Sequence, residues 1–316
     1  MFCEYRYVLK NALRLPQAIP VWASDFLFSF ETDSEILVAV KLAVRCDATD
    51  MWPRIELAPR EGVKAHFVFP DPRAGEVQDM FLTFLALLSL RGWDAQWDRM
   101  PASRRWIPET EIEAQAISAN NFTLSSDRVH SPSDFPIPLN DLVQTVLASD
   151  SARALQQPLE FLQYATERYT AKRFIEAFQF YYFAMESLYC NGLSGTTKVV
   201  TQLMSITRLR VKMRMALKYP SLYVQRPEER TAYLSFVNGL TAREAFTKIV
   251  KTRGHLHHHN SRSPNTWSIN GQESYWAIAT LAANVAVPQL FWESWKHLSG
   301  ETVKRQFEKI QKSLSR

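Results

Sequence analysis

Cysteine is scarce in this chain. Cys3, Cys46 and Cys190 are the only three in 316 residues; they lie far apart and form no CxxC pair. That excludes a disulfide framework and points to a reducing compartment. Long apolar runs are missing as well. The longest, Phe81 to Leu90, spans about ten residues, half of the roughly 20 that a membrane helix needs. The opening MFCEYRYVLK carries charges where a secretory leader would have its apolar stretch. The expectation is a cytoplasmic protein with no membrane attachment. No internal repeat or low-complexity tract is present. Finally, no acidic residue occurs anywhere from Ser187 to Pro227, a stretch of 41 residues.

What is present fits a folded chain. A hydrophobic fraction of 46% beside 22% charged residues is ordinary for a globular protein, and the length suffices for two domains with a sizeable core. The net charge of +5 conceals a division. Residues 1–150 hold 14 basic and 21 acidic side chains, a net of −7, whereas residues 151–316 hold 23 basic and 11 acidic, a net of +12. Such asymmetry fits a polyanion partner for the basic half, or attraction between the halves within a chain or across a dimer.

Eleven of the sixteen prolines precede residue 151. The densest group, Pro132, Pro136 and Pro138 in SPSDFPIP, blocks helix continuation and favours extended backbone. It reads as a linker between an α+β domain over 1–138 and an all-α helical-bundle domain over 139–316. A short helix from about Leu139 to Leu147 sits at the junction and opens the second domain or closes the first. In the first domain, Phe26, Phe28 and Phe30 alternate with polar neighbours as in a half-buried strand. Ile36 to Val44 is β-branched and pairs with it as a hairpin across Thr32-Asp33-Ser34. Ala65 to Phe69 reads as another strand, Gly75 to Arg91 as a helix ended by Gly92, and Thr110 to Leu124 as one or two further strands.

The second domain has helical periodicity. From Phe174, apolar residues recur at offsets of 3, 4, 7, 8, 11, 14 and 15, ending at Tyr189. Phe180 and Phe183 fall off that stripe, so a second face of this helix is expected to meet the N-terminal domain or another subunit. Arg208 to Met215 alternates cation and apolar residue; its composition nevertheless favours helix. Ala242 to His257 is amphipathic, with Ala245, Phe246, Ile249 and Val250 inward. Gln272 to Leu298 reads as a long aromatic helix that Pro288 kinks or divides, and Glu301 to Leu314 as a final basic helix.

Four of the seven histidines lie in the pentad 255–259, directly after Arg253, in Arg253-Gly254-His255-Leu256-His257-His258-His259. An imidazole moves protons near neutral pH, and a guanidinium holds a phosphate through two donors. Together they supply the groups for RNA cleavage without a metal. On a straight helix at about 100° per residue, His257 stands about 40° from Arg253 and His258 about 140° away. Two other readings use the same residues. His255 and His259, at i and i+4, match the spacing of a zinc pair, although no glutamate lies between them as in HExxH and no nearby Asp or Cys completes a ligand set. Histidines at a helix C-terminus are also favoured by the helix dipole alone.

The stretch KIVKTRGHLHHHN (Lys248 to Asn260) resembles the Arg, four to six residues, His motif of the HEPN (higher eukaryotes and prokaryotes nucleotide-binding) superfamily. Upstream, FIEAFQFYYFAMESLYCNGLSG resembles the long helix of HEPN domains from prokaryotic conflict systems. The RGHLHHH segment is also similar to uncharacterised proteins labelled methylamine-utilisation protein J. The resemblance covers residues 155–316. It implies a homodimer with both motifs facing a shared cleft, and endoribonuclease action in a toxin or antiviral defence effector, with an antitoxin or defence-system partner. It implies no cofactor and no metal. By its spacing the catalytic set is Arg253 with His258 or His259, with His257 favoured instead by helix geometry, and Glu186 and Asn191 as helpers. Arg208, Arg210, Lys212, Arg214 and Lys251 are the candidate RNA-binding cations. One position departs from the pattern: active members usually carry a polar residue after the arginine, where this chain has Gly254. A non-catalytic RNA-binding or protein-interaction module is the alternative.

Overall fold

The computed structural model describes residues 1–57, 65–93, 95, 97, 100–117, 119–123, 132–219, 224, 226–257, 269–298, 300–305 and 308. They divide into two units, Met1–Arg153 with the described residues after Trp295, and Ala154–Trp295.

The first unit is α+β. Strands β1 (Phe2–Arg14), β2 (Val21–Ala23), β3 (Phe26–Asp33), β4 (Ile36–Arg45), β7 (Ser103–Ile107) and β8 (Asn121–Thr123) form an antiparallel sheet in the order β2-β3-β4-β1-β7-β8. A separate two-stranded ribbon joins β5 (Arg54–Leu57) to β6 (Ala65–Val68). Helices α1 (Ala74–Leu90), α2 (Glu111–Ala116) and α3 (Leu139–Ala152) complete it. One face of the large sheet is apolar because alternate residues point the same way: Cys3, Tyr5, Tyr7 and Leu9 of β1 and Phe26, Phe28 and Phe30 of β3 are all buried. Val77, Phe81, Phe84 and Leu88 of α1 and Leu142, Val143 and Val146 of α3 join the same core. Tyr7 stacks on Phe81 with centroids 3.9 Å apart.

Several expectations change here. The β3–β4 hairpin forms, but its turn is Ser34-Glu35, both at positive φ, closing the Asp33↔Ile36 pair. The proline cluster is no free linker. Pro132–Pro136 forms β9, which pairs in parallel with β1, a place that suits proline because an edge strand has an N–H to spare. The helix α3 packs on α1 within the first unit, so the division falls after Arg153 and not at residue 138. Within the stretch expected as strands, Glu111–Ala116 is helix and Asn121–Thr123 is strand. Of the final helix, residues 300–305 are helical and 309–314 lie outside the described residues.

On the opposite face of the sheet, Glu31 sits between Arg6, whose Nη2 is 2.9 Å from Oε1, and Lys41, 2.9 Å from Oε2. Hydrogen bonding from Arg6, then from Lys41, lowers the Glu31 carboxyl to about 2 against the cost of partial burial.

The second unit is helical: α4 (Gln156–Thr170), α5 (Phe174–Tyr189), α6 (Thr196–Ser205), α7 (Thr207–Lys218), α8 (Pro227–Val237), α9 (Ala242–His257) and α10 (Trp276–Trp295). Within the helical unit, α4 packs against the off-stripe face of α5. Phe161 lies 6.3 Å from Phe180 and 5.6 Å from Phe183, and Tyr164 lies 5.5 Å from Phe180. The helix α10 continues through Pro288 undivided, losing only the bond that the missing N–H would make to the Asn284 carbonyl. The alternating segment is helix α7, which buries Leu209, Met213 and Ala216.

Tyr233 ties three helices together. Its buried hydroxyl donates to the Ala216 carbonyl at 3.0 Å, in the last turn of α7, and accepts from Asn284 Nδ2 at 3.1 Å. Carbonyls at a helix end have no partner within the helix. Tyr233→Phe strands that carbonyl and is expected to destabilise the helical unit by about 1–3 kcal/mol, read as a lower urea midpoint with unchanged slope. For Glu31, the depressed carboxyl means stability present above the usual carboxylate range and lost as pH falls toward 2. The stability gap between the chain and Glu31→Gln is therefore expected to be full at pH 7 and to close as acid is added, as followed by denaturant titrations at stepped pH.

Candidate functional site

Helix α9 opens with a capping box. The Thr241 N–H donates to Glu244 Oε2 at 2.8 Å, and the Glu244 N–H donates to Thr241 Oγ at 3.3 Å. From there Ala245, Phe246, Ile249 and Val250 face inward, as the periodicity predicts. Arg253 comes four positions after Ile249, so it occupies the next place on an apolar stripe. A guanidinium there needs polar company.

Helix α5 supplies it. The Arg253 guanidinium carbon lies 5.6 Å from the centroid of the Tyr182 ring. Its Nη2 is 3.9 Å from Glu186 Oε2, and the Tyr182 hydroxyl donates to Glu186 Oε1 at 3.1 Å. Tyr182 and Glu186 are i and i+4 on α5 and thus face the same neighbour. The contact with Glu186 is at the long limit of an ion pair, and Arg253 Nε is buried with no hydrogen-bond partner among the described residues. The side chain keeps 29% of its surface exposed. Burial, and then the Glu186 carboxylate, push the Tyr182 phenol above its ordinary value, so it stays a neutral donor at physiological pH. Burial likewise raises the Cys190 thiol to about 11, which leaves it protonated and a poor nucleophile.

Glu186 also lines a small polar pocket of about 280 Å³, with Ser187, Asn191 and Gln157 and a wall from Phe161 and Phe183. Asn191 reaches it because the chain turns sharply after α5: Gly192 takes φ +75°, and the Leu193 N–H donates to the Cys190 carbonyl at 2.8 Å. The proposed helpers Glu186 and Asn191 therefore share one pocket, and Glu186 connects it to Arg253. Tyr182, Ser187 and Gln157 join them unforeseen. The i, i+4 spacing of Tyr182 and Glu186 was the available signal, hidden within an otherwise apolar stripe.

The histidines are placed less completely. The backbone of α9 is helical to His257, and the helix runs through Gly254 without a break. His258 and His259 lie outside the described residues. His255 is exposed. A side-chain carbon at Gly254 would meet none of the described residues within 4 Å. No group of three potential metal ligands occurs among the described residues, and His259 of the i, i+4 pair is not one of those.

The expected RNA-binding cations do not form one row. Steps of two along a helix turn by about 200°, so α7 sends Arg208 and Lys212 to one side and Arg210 and Arg214 to the other. Arg208 stacks on Trp292, 3.6 Å from the ring centroid. Arg210 bonds to the Met204 carbonyl and the Thr207 hydroxyl, both at 3.4 Å. Lys251 on α9 is exposed. No helix among the described residues is long and apolar enough to cross a membrane. No known protein family, curated protein or solved structure matches the chain.

The pairing of Arg253 with Glu186 is open to a direct measurement. A double-mutant cycle with Arg253→Met and Glu186→Gln is expected to give a coupling of about 0.5–1 kcal/mol in urea unfolding, given the long contact and partial exposure. Tyr182→Phe, which frees Glu186 to shift, is expected to change that coupling. A value indistinguishable from zero would mean the two groups are neighbours without interaction.

Proposed function

We propose that this chain is a metal-independent endoribonuclease of HEPN type in which Arg253 holds the scissile phosphate. The supporting observation is the arginine itself, held on the core stripe of α9 by Tyr182 and Glu186, with a buried Nε that has no partner among the described residues. One of the histidines that follow, His257, His258 or His259, takes the proton from an RNA 2′-hydroxyl. That oxygen attacks the adjacent phosphorus while Arg253 stabilises the charge gathering on the phosphoryl oxygens. A second histidine, from the same chain or a partner copy, returns a proton to the departing 5′-oxygen. The products are a 2′,3′-cyclic phosphate and a 5′-hydroxyl, and DNA, lacking the 2′-hydroxyl, is not cut. In the cell such an activity suits a toxin or an antiviral defence effector.

A second reading rests on a specific observation. Glu186 already faces Arg253, and Gly254 stands where active members carry a polar side chain. A chain of that kind retains RNA or a protein partner without cutting. Labelled single-stranded RNA and tRNA incubated with the full chain in chelator separate the two. Cleavage is expected, reduced about 100-fold or more by Arg253→Ala and by alanine at the catalytic histidine. Gly254→Asn, which has room for its side chain, is expected to raise the rate. Folded protein that shifts RNA in a gel without cutting it, in every variant, refutes the nuclease and leaves the binding module.

A further inference from the structure

Helix α7 carries two apolar faces. Leu209, Met213 and Ala216 are buried in the helical unit, but Val211, Met215 and the following Tyr219 are 44%, 49% and 68% exposed. They line a groove of about 990 Å³ whose other wall is the end of α8 and the start of α9, including Leu234 and Leu240. Arg214, Lys218 and Arg243 stand around it, and none of the described residues lining it is acidic. An apolar patch rimmed by polar groups is the mark of a macromolecular interface rather than of a stray surface side chain.

Charge and lining together define the occupant. Three cations line the groove against one neighbouring carboxylate, Glu244, which is held by the Thr241 N–H and hydroxyl; the excess calls for negative charge. Among the described residues the floor is mainly aliphatic and thioether, with Tyr219 the one aromatic ring. Nucleic acid binds through ring faces on which bases stack, and this floor does not offer a row of them. An amphipathic helix supplies the right combination, apolar anchors at i, i+3 or i+4, and i+7, with acidic residues on its flanks. Methionine adapts its shape to such anchors. We infer that this groove is the docking site for an acidic amphipathic helix of a partner protein. It lies at the start of α9, ten positions from Arg253, which is about 15 Å along the axis at roughly 1.5 Å per residue. The inference therefore stands independently of the ribonuclease reading.

The test pans the full chain against a displayed library of helical peptides with Leu, Ile, Met or Phe at i, i+4 and i+7 and randomised Glu, Lys, Gln or Ala elsewhere. Enrichment of Glu over Lys is expected on the wild-type chain and is expected to vanish on Met215→Glu. The consensus peptide, measured by fluorescence anisotropy, is expected to lose about tenfold or more in affinity with Met215→Glu or with Arg214→Glu and Lys218→Glu combined, and to be indifferent to Arg253→Ala. These positions are exposed, and matching thermal melts establish that each variant is folded. No enrichment over the naive library, enrichment of Lys, or equal enrichment on Met215→Glu overturns the inference. So does displacement of the peptide by single-stranded RNA, which would make the groove a nucleic-acid surface.

Discussion

An arginine on an apolar helix stripe constrains everything that packs against it. Arg253 follows Phe246 and Ile249 on α9, where a branched aliphatic side chain would be the ordinary choice. Its stem can lie along the core, but its head must be met. Helix α5 meets it with the ring of Tyr182 below and the carboxylate of Glu186 beside it. That fixes the rotation of α5, because the residues facing α9 must be positions 182 and 186. With that rotation, Phe180 turns away and Phe183 comes to the flank beside Glu186, and a second helix has to cover them. The aromatic edge of α4, Phe161 and Tyr164, does so. The α4–α5 pairing and the seat of α9 are in this sense consistent with the needs of one half-buried cation.

The same arrangement explains why the pocket beside Glu186 is polar. Helix α5 ends within a turn of Glu186, and its terminal residues expose backbone that a core could not accept. Gly192 permits the reversal, and Asn191 and Ser187 line the space it opens. A carboxylate shared between an arginine and a polar pocket is a point where an incoming anion and Glu186 compete for one guanidinium. Pairing of this length and exposure contributes little to stability, so displacing Glu186 from Arg253 costs little. A resting site protected by a weak internal partner can still yield to a phosphate that offers two oxygens in the geometry of a guanidinium fork.

Much of the architecture was legible where one period dominates. The β3–β4 hairpin and the inward face of α9 follow from alternation and from the helical stripe. Other elements were harder to read for physical reasons. The alternation of Cys3, Tyr5, Tyr7 and Leu9 marks β1, yet its charged outward residues also resemble an exposed N-terminal segment. The prolines of 132–138 exclude helix but do not distinguish a linker from an edge strand, since both use the same backbone region. The second face of α5 announced a neighbour without naming it; whether α4, another domain or another subunit covers Phe183 depends on tertiary packing. In the candidate site, Arg253, Glu186 and Asn191 were chosen by motif and position, while Tyr182 was taken for core because its ring is core. Only its hydroxyl, aimed at Glu186, reveals the second role.

Helix α7 shows why a charge pattern read along the chain differs from one read on the surface. Arg208, Arg210, Lys212 and Arg214 alternate with apolar residues, which on a strand would give one basic face and one oily face. Wound into a helix, the same residues distribute both kinds around the axis. Two cations turn toward α10 or the preceding turn, where Arg208 meets Trp292 and Arg210 meets the Met204 carbonyl. The apolar residues split as well, half into the core and half, Val211 and Met215, into the groove. The positive charge of the helical unit therefore forms no single track. Arg253 lies near the C-terminal end of α9, and Arg214, Lys218 and Arg243 stand around the groove at the helix's start. Attraction of an anion to either group would weaken with salt. What separates them is the apolar floor that only the groove possesses, and a ligand that needs that floor reports on the groove alone.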